Sequence, residues 1–77
     1  MSQVEVKLYA MLRQHVGGAA SVDVEIEPGA TVRQVLGQLG VPSDQTRIIF
    51  VNGRAAGLDS AIEGGELLAV FPAIGGG

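Results

Sequence analysis

Thr31-Val32-Arg33-Gln34-Val35-Leu36-Gly37-Gln38-Leu39-Gly40 is the stretch that decides the fold. Thr31 and Gln34 stand at capping-box spacing, so each side chain can satisfy a free backbone N–H at a helix start. Val32, Val35, Leu36 and Leu39 follow at helical spacing and form one apolar stripe. Gly40 stands where a left-handed cap belongs, and Pro42 prevents continuation. The spacing predicts one amphipathic helix, the only segment long enough to cover a sheet face.

Upstream, Val4, Val6 and Leu8 alternate with Glu5, Lys7 and Tyr9, and Val22, Val24 and Ile26 alternate with Asp23, Glu25 and Glu27. A period of two reads as two half-buried strands. Being close in sequence, they pair most simply as an antiparallel hairpin with an expanded loop. That loop, Ala10 to Val16, has the length of about two helical turns, ended by Gly17-Gly18. Pro28-Gly29 is a turn into the main helix.

Downstream, Arg47-Ile48-Ile49-Phe50-Val51 reads as a strand that ends at Asn52-Gly53. Both residues of that pair tolerate the positive φ of a type I′ hairpin turn. Arg54-Ala55-Ala56-Gly57 is a short return strand, and Leu58 to Ile62 is a turn with one buried anchor, Leu58 or Ile62. Glu63-Gly64-Gly65-Glu66 is a further turn, and Leu67 to Phe71 is the last strand. One helix over a mixed sheet of four to five strands is an α+β roll.

With only one helix, the sheet keeps an open face. Ile48 and Phe50 point opposite to Ile49 and Val51, and Leu67, Ala69 and Phe71 opposite to Leu68 and Val70. The two early strands carry charges on their outer face and the two late strands do not. The pattern therefore predicts an apolar patch on the open face near the C-terminus, to be covered by loops around residues 55–63 or by a partner. The partner is favoured, because the tail leaves from the same strand.

Seventy-seven residues make one domain, and a hydrophobic content of 47% argues against disorder. Absence of cysteine excludes disulfides, thiolate metal sites and a cysteine nucleophile. A formal net charge of −3 with five scattered cations argues against a nucleic-acid partner. No apolar run is long enough to span a bilayer, and Met1 to Glu5 lacks the features of a secretory signal, so a cytoplasmic location is expected.

His15 is the single histidine and reads as a solvated helical residue. Asp44, Asp59, Glu63 and Glu66 sit in or beside turns without acid–base spacing, and neither Gly-Gly pair has the lysine of a phosphate loop. No metal or cofactor site is expected. The ending Gly75-Gly76-Gly77 is different in kind. Three residues without side chains can thread a narrow channel and present the Gly77 carboxylate to a partner's chemistry. If that partner uses ATP, the carboxylate becomes a mixed anhydride with AMP, open to a sulfur or nitrogen nucleophile.

The helix 31–36, the Val51-Asn52-Gly53 hairpin, the Glu63-Gly64-Gly65-Glu66-Leu67 turn and the ending Val70-Phe71-Pro72-Ala73-Ile74-Gly75-Gly76 resemble the ubiquitin-like sulfur carriers of the MoaD/ThiS family. The ending is most similar to that of the small subunit of molybdopterin synthase, as is Ala10-Met11-Leu12-Arg13 followed by Val16-Gly17. The resemblance implies a β-grasp domain over residues 1–71 and a flexible tail over 72–77. It implies a carrier and not an enzyme. Gly77 would be adenylated by a ubiquitin-activating-type enzyme and converted to a thiocarboxylate with sulfur from a cysteine desulfurase or rhodanese-like donor. Gly75 and Gly76 would occupy the channel of a large catalytic subunit, with Phe71, Pro72 and Ile74 at the hinge of the docking surface.

Members of that family typically end in two glycines, so the working terminus is Gly77 or, after its removal, Gly76. Pro72-Ala73 stands where the molybdopterin branch often has Pro-Pro. Carriers for thiazole, cysteine or tRNA sulfuration share the tail. A protein modifier and an inert β-grasp interaction module are the remaining alternatives.

Overall fold

The computed structural model describes residues 2–73. Strands β1 (Ser2–Leu8), β2 (Ser21–Ile26), β3 (Thr46–Val51), β4 (Arg54–Ala56) and β5 (Leu67–Pro72) form one sheet, with helix α1 (Val32–Leu39) between β2 and β3 in the chain. The spatial order is β2-β1-β5-β3-β4. β1 and β2 pair antiparallel from Ser2↔Ile26 to Lys7↔Ser21, as the alternation predicts. β5 then enters the centre, parallel to β1 and antiparallel to β3. This is the mixed sheet of an α+β β-grasp roll.

α1 forms where the sequence places it. Thr31 accepts from the Gln34 N–H while the Gln34 side chain accepts from the Thr31 N–H at 2.9 Å, a complete capping box. Gly40 closes the helix at φ 75°, a conformation that glycine adopts without a Cβ penalty. Val32, Val35 and Leu36 are buried, and Leu39 packs at the edge of the core. Replacing Thr31 by Ala removes one arm of the box and is expected to cost about 1 kcal/mol, read as a lowered urea midpoint with an unchanged slope.

The core is aliphatic. Val4, Val6, Leu8, Val24, Ile26, Ile49, Leu68 and Val70 supply it from the sheet, and the α1 stripe covers them. Among the described residues no polar or charged side chain is buried. The turn at residues 52–53 has φ 51° at Asn52 and 79° at Gly53, the two positive values of a type I′ turn. Asn52 also grips β5, since its side-chain oxygen accepts from Leu67 N–H at 2.8 Å while its own N–H donates to Leu67 C=O at 2.8 Å.

Four details differ from the sequence reading or complete it. Ala10–Val16 is a 3-10 helix and not an α-helix. It is entered through Ala10 at φ 54° and buries only Leu12, so no apolar stripe exists to reward a wider helix. Of the two candidate anchors, Ile62 is the buried one and Leu58 is half-buried. β3 carries one extra residue: Thr46 pairs with Pro72 but Ile48 with Phe71, leaving Arg47 in a bulge. β5 runs one residue further than Phe71, through Pro72.

Candidate docking face and tail root

The side-chain alternation places residues on the two faces as predicted. Ile49, Leu68 and Val70 are buried beneath α1, whereas Ile48 is 48% exposed on the other side. On that open face Ile48 stands beside Phe71, and Phe50 lies between Ala69 and Ala55. Leu67 continues the apolar surface next to Glu5.

Loop residues do not fold over this patch. Segment 57–62 bonds to the other side, with Ser60 C=O accepting from Val32 N–H at 3.0 Å and Leu58 C=O from Arg33 N–H at 2.8 Å. Ile62 donates to Ala30 C=O at 2.9 Å and enters the core beside α1. The bonds from Val32 and Arg33 use backbone donors at the start of the helix, which have no intrahelical partner. The loop therefore belongs to the covered face and leaves the open one free.

All three aromatic residues of the chain meet at the end of β5. Tyr9 stacks on Phe71 with ring centroids 4.2 Å apart and planes 8° from parallel, and Phe50 meets Phe71 edge-on at 6.1 Å. The Arg13 guanidinium lies 5.9 Å from the Tyr9 ring centre while its Nε donates to Leu8 C=O at 2.9 Å. Beyond Phe71, Pro72 pairs with Thr46, and Ala73 N–H donates to Gln45 C=O at 3.1 Å. His15 is half-buried, with Nε2 at 2.9 Å from Gln45 Oε1. This corrects the reading of His15 as solvated: the loop 43–45, distant in sequence, reaches it.

Phe71 and Pro72 thus sit together at the root of the tail, half-buried and firmly held. Ile74, Gly75, Gly76 and Gly77 lie outside the described residues. Tyr9 and Arg13 belong to the root as well, although their sequence positions do not announce it. Tyr9 could have been placed there, since it continues the outward alternation of Glu5 and Lys7 past the end of β1. Arg13 carried no such signal.

Little else invites chemistry. A groove between the end of β2 and α1 is lined by Glu25, Glu27, Gln34 and Gln38 with no histidine or cation, and Gln38 spends its amide on Glu25 C=O at 3.2 Å. Among the described residues there is no group of three His, Asp or Glu able to hold a metal ion. No helix there is long and apolar enough to cross a membrane.

Comparison with known proteins agrees with this architecture. A family model described as Mut7-C ubiquitin matches residues 1–75. No curated protein matches the chain. Among solved structures, the small archaeal modifier protein 1 of H. volcanii superposes with a TM-score of 0.78 at 29% identity, covering 96% of this chain and 100% of that one. A molybdopterin converting factor subunit 1 from Pyrococcus furiosus gives 0.77 at 25% identity, over 96% and 100%. The BexX/CysO complex of Amycolatopsis orientalis contains a chain matching at 0.71 and 26% identity, over 96% and 99%. The ubiquitin-like resemblance seen in the sequence is borne out.

Proposed function

Because the chain belongs to the Mut7-C ubiquitin family, we propose that it is a ubiquitin-like sulfur carrier serving molybdopterin biosynthesis, with its terminal glycine as the reactive group. One observation supports this most: an anchored strand end, Phe71-Pro72-Ala73, leads directly into Ile74-Gly75-Gly76-Gly77 beside an uncovered apolar face. A ubiquitin-activating-type enzyme transfers AMP from ATP to the Gly77 carboxylate and releases pyrophosphate. The outer sulfur of a persulfide on a cysteine desulfurase or rhodanese-like donor then attacks the adenylate and AMP leaves, giving an acyl disulfide. A thiol of the partner or of a small-molecule reductant cleaves its S–S bond, since the chain has no cysteine of its own. This leaves a thiocarboxylate on the chain and a disulfide on the thiol side. The body docks through its open face on a large catalytic subunit, and the glycines occupy that subunit's channel. The chain is a substrate within a partner's active site and holds no cofactor of its own. Similarity to a molybdopterin converting factor subunit 1 supports the pathway, and CysO in complex with BexX supports docking on a partner protein.

The test is direct. Incubation with a ubiquitin-activating-type enzyme, ATP, a sulfur donor and a thiol reductant is expected to exchange one terminal oxygen for sulfur, seen by intact mass spectrometry. No mass change, with an enzyme proven competent on another carrier, would sink the carrier reading. A second reading, a protein modifier joined to lysine amines, is favoured by the similarity to a small archaeal modifier protein. Isopeptide-linked adducts in lysate under protease inhibition would support it.

The docking face has its own prediction. Ile48→Asp places a charge on the exposed patch without touching the buried core. It is expected to weaken binding to the large subunit by about 2 kcal/mol, the scale of an interface anchor, while the melting temperature stays put. Calorimetric titration against that subunit reads the first quantity and differential scanning calorimetry the second.

A further inference from the structure

Strand register sorts the charges of this chain along the sheet. At the end where β5 begins, Glu5 stands beside Leu67 and opposite Asp23, and Glu25 lies opposite Gln3. Glu27 follows β2 at that same end, and Glu63 and Glu66 flank the turn into β5. Six of the eight carboxylate residues are therefore gathered there. Arg54 lies on β4 beside the 52–53 turn.

Two residues along β1 the sign reverses. Lys7 stands beside Ala69, Arg13 lies over the Tyr9 ring that stacks on Phe71, and Arg47 occupies the bulge opposite Phe71 and Pro72. Three of the five cations thus surround the strand end from which the tail departs. His15 adjoins them through Gln45, and Asp44 is the carboxylate among the described residues at this end. Arg33 is occupied on the covered face by Asp59 at 3.2 Å.

β5 spans about 20 Å at the usual rise per residue, more than twice the Debye length of about 8 Å at physiological salt. Glu5 and Lys7, two residues apart on β1, mark the boundary where the sign changes. Glu27, Glu63 and Glu66 at one end and Arg13 and Arg47 at the other are far enough apart to present separate poles to a partner. Gly77 stands four residues beyond Ala73, and an extended chain of that length spans about 14 Å. The cations lie at the root of the tail, where they face what receives it.

We propose that Lys7, Arg13 and Arg47 form a docking collar that meets a ring of carboxylates around the entry through which the ubiquitin-activating-type enzyme receives the tail. The inference rests on the carrier reading and names the chemistry of the surface that receives the tail. Lys7 borders Ala69 and Arg47 borders Ile48, so the collar is continuous with the apolar patch and forms its charged rim. Complementary charge at the rim accelerates encounter and sets orientation. The acidic pole is repelled by the same carboxylates, so an approach with the wrong end first is disfavoured.

The test is ATP–pyrophosphate exchange catalysed by the ubiquitin-activating-type enzyme of the same organism. Lys7→Glu/Arg47→Glu is compared with Glu25→Lys/Glu27→Lys, both pairs being exposed. Near 0.03 M salt the first pair is expected to raise KM about tenfold with kcat unchanged, and by about 0.5 M salt the difference falls within about twofold. Lys7→Gln/Arg47→Gln gives a smaller rise in the same direction and guards against misfolding, which melting curves also monitor. The second pair leaves KM within about twofold of the wild type. A wild type that supports no exchange overturns the carrier reading itself. Exchange by the wild type with an unmoved KM in both collar variants overturns the collar alone, as does an equal rise in the Glu25/Glu27 pair. Binding of a fluorescent single-stranded DNA of about 20 nucleotides, lost in the collar variants while their KM stays unmoved, overturns it in favour of a nucleic-acid surface.

Discussion

Deleting Gly76 and Gly77 is expected to abolish sulfur loading while leaving the melting transition unchanged. The deletion withdraws the terminal carboxylate by about 7 Å along an extended chain. Reactions that depend on a held geometry lose their rate when the reacting atom is displaced by even an ångström. A loss of at least about 10³-fold is therefore expected, read as the absence of thiocarboxylate by intact mass spectrometry. Stability does not change because the buried residues run from Val4 to Val70. Removing Gly77 alone separates the two candidate termini: loading retained assigns the work to Gly76, and loading lost assigns it to Gly77. Full loading of the double deletion, which still ends in Gly75, would show that neither Gly76 nor Gly77 is needed.

Leu68→Ala is expected to have the largest effect on stability. Leu68 is fully buried on β5, between Val6 of β1 and Val51 of β3. A central strand leaves its neighbours little freedom to collapse into a void, so the cost is about 3 kcal/mol, within the range for a buried leucine. A domain of this size has about 5 kcal/mol to lose. At roughly 4–8 °C for each kcal/mol, the melting temperature falls by about 15–20 °C. A fall of only a few degrees would contradict the central position of β5. The contrast with Ile48→Asp is informative, since the two residues belong to neighbouring strands but to opposite faces.

The elements were legible in the sequence because their causes are local. The Thr31–Gln34 capping box, Gly40 and the Asn52-Gly53 turn each act through bonds or φ values within a few residues. The two faces of β3 and β5 were legible for the same reason, since alternation is a property of one strand. The strand order was not. Nothing in the alternation of Leu67 to Phe71 says that this strand inserts beside β1, more than fifty residues earlier. The tail root was legible only in part. Phe71 and Pro72 stand out by their place before the glycines, whereas Tyr9, Arg13, His15 and Gln45 reach them through tertiary contacts. The bulge at Arg47 also escaped, because the run Arg47 to Val51 reads as unbroken strand until a partner sets its register.

Parallel pairing of β1 with β5 has a practical consequence. Strands that run side by side in one direction start together and finish together, so Ser2 lies at the end of the sheet opposite Pro72. An affinity handle or fluorophore fused ahead of β1 sits a whole strand length from Pro72 and leaves the C-terminal residues unmodified. The same handle appended after Gly77 puts a peptide bond in place of the carboxylate proposed to react. Purification and labelling of this protein therefore belong at its N-terminal side.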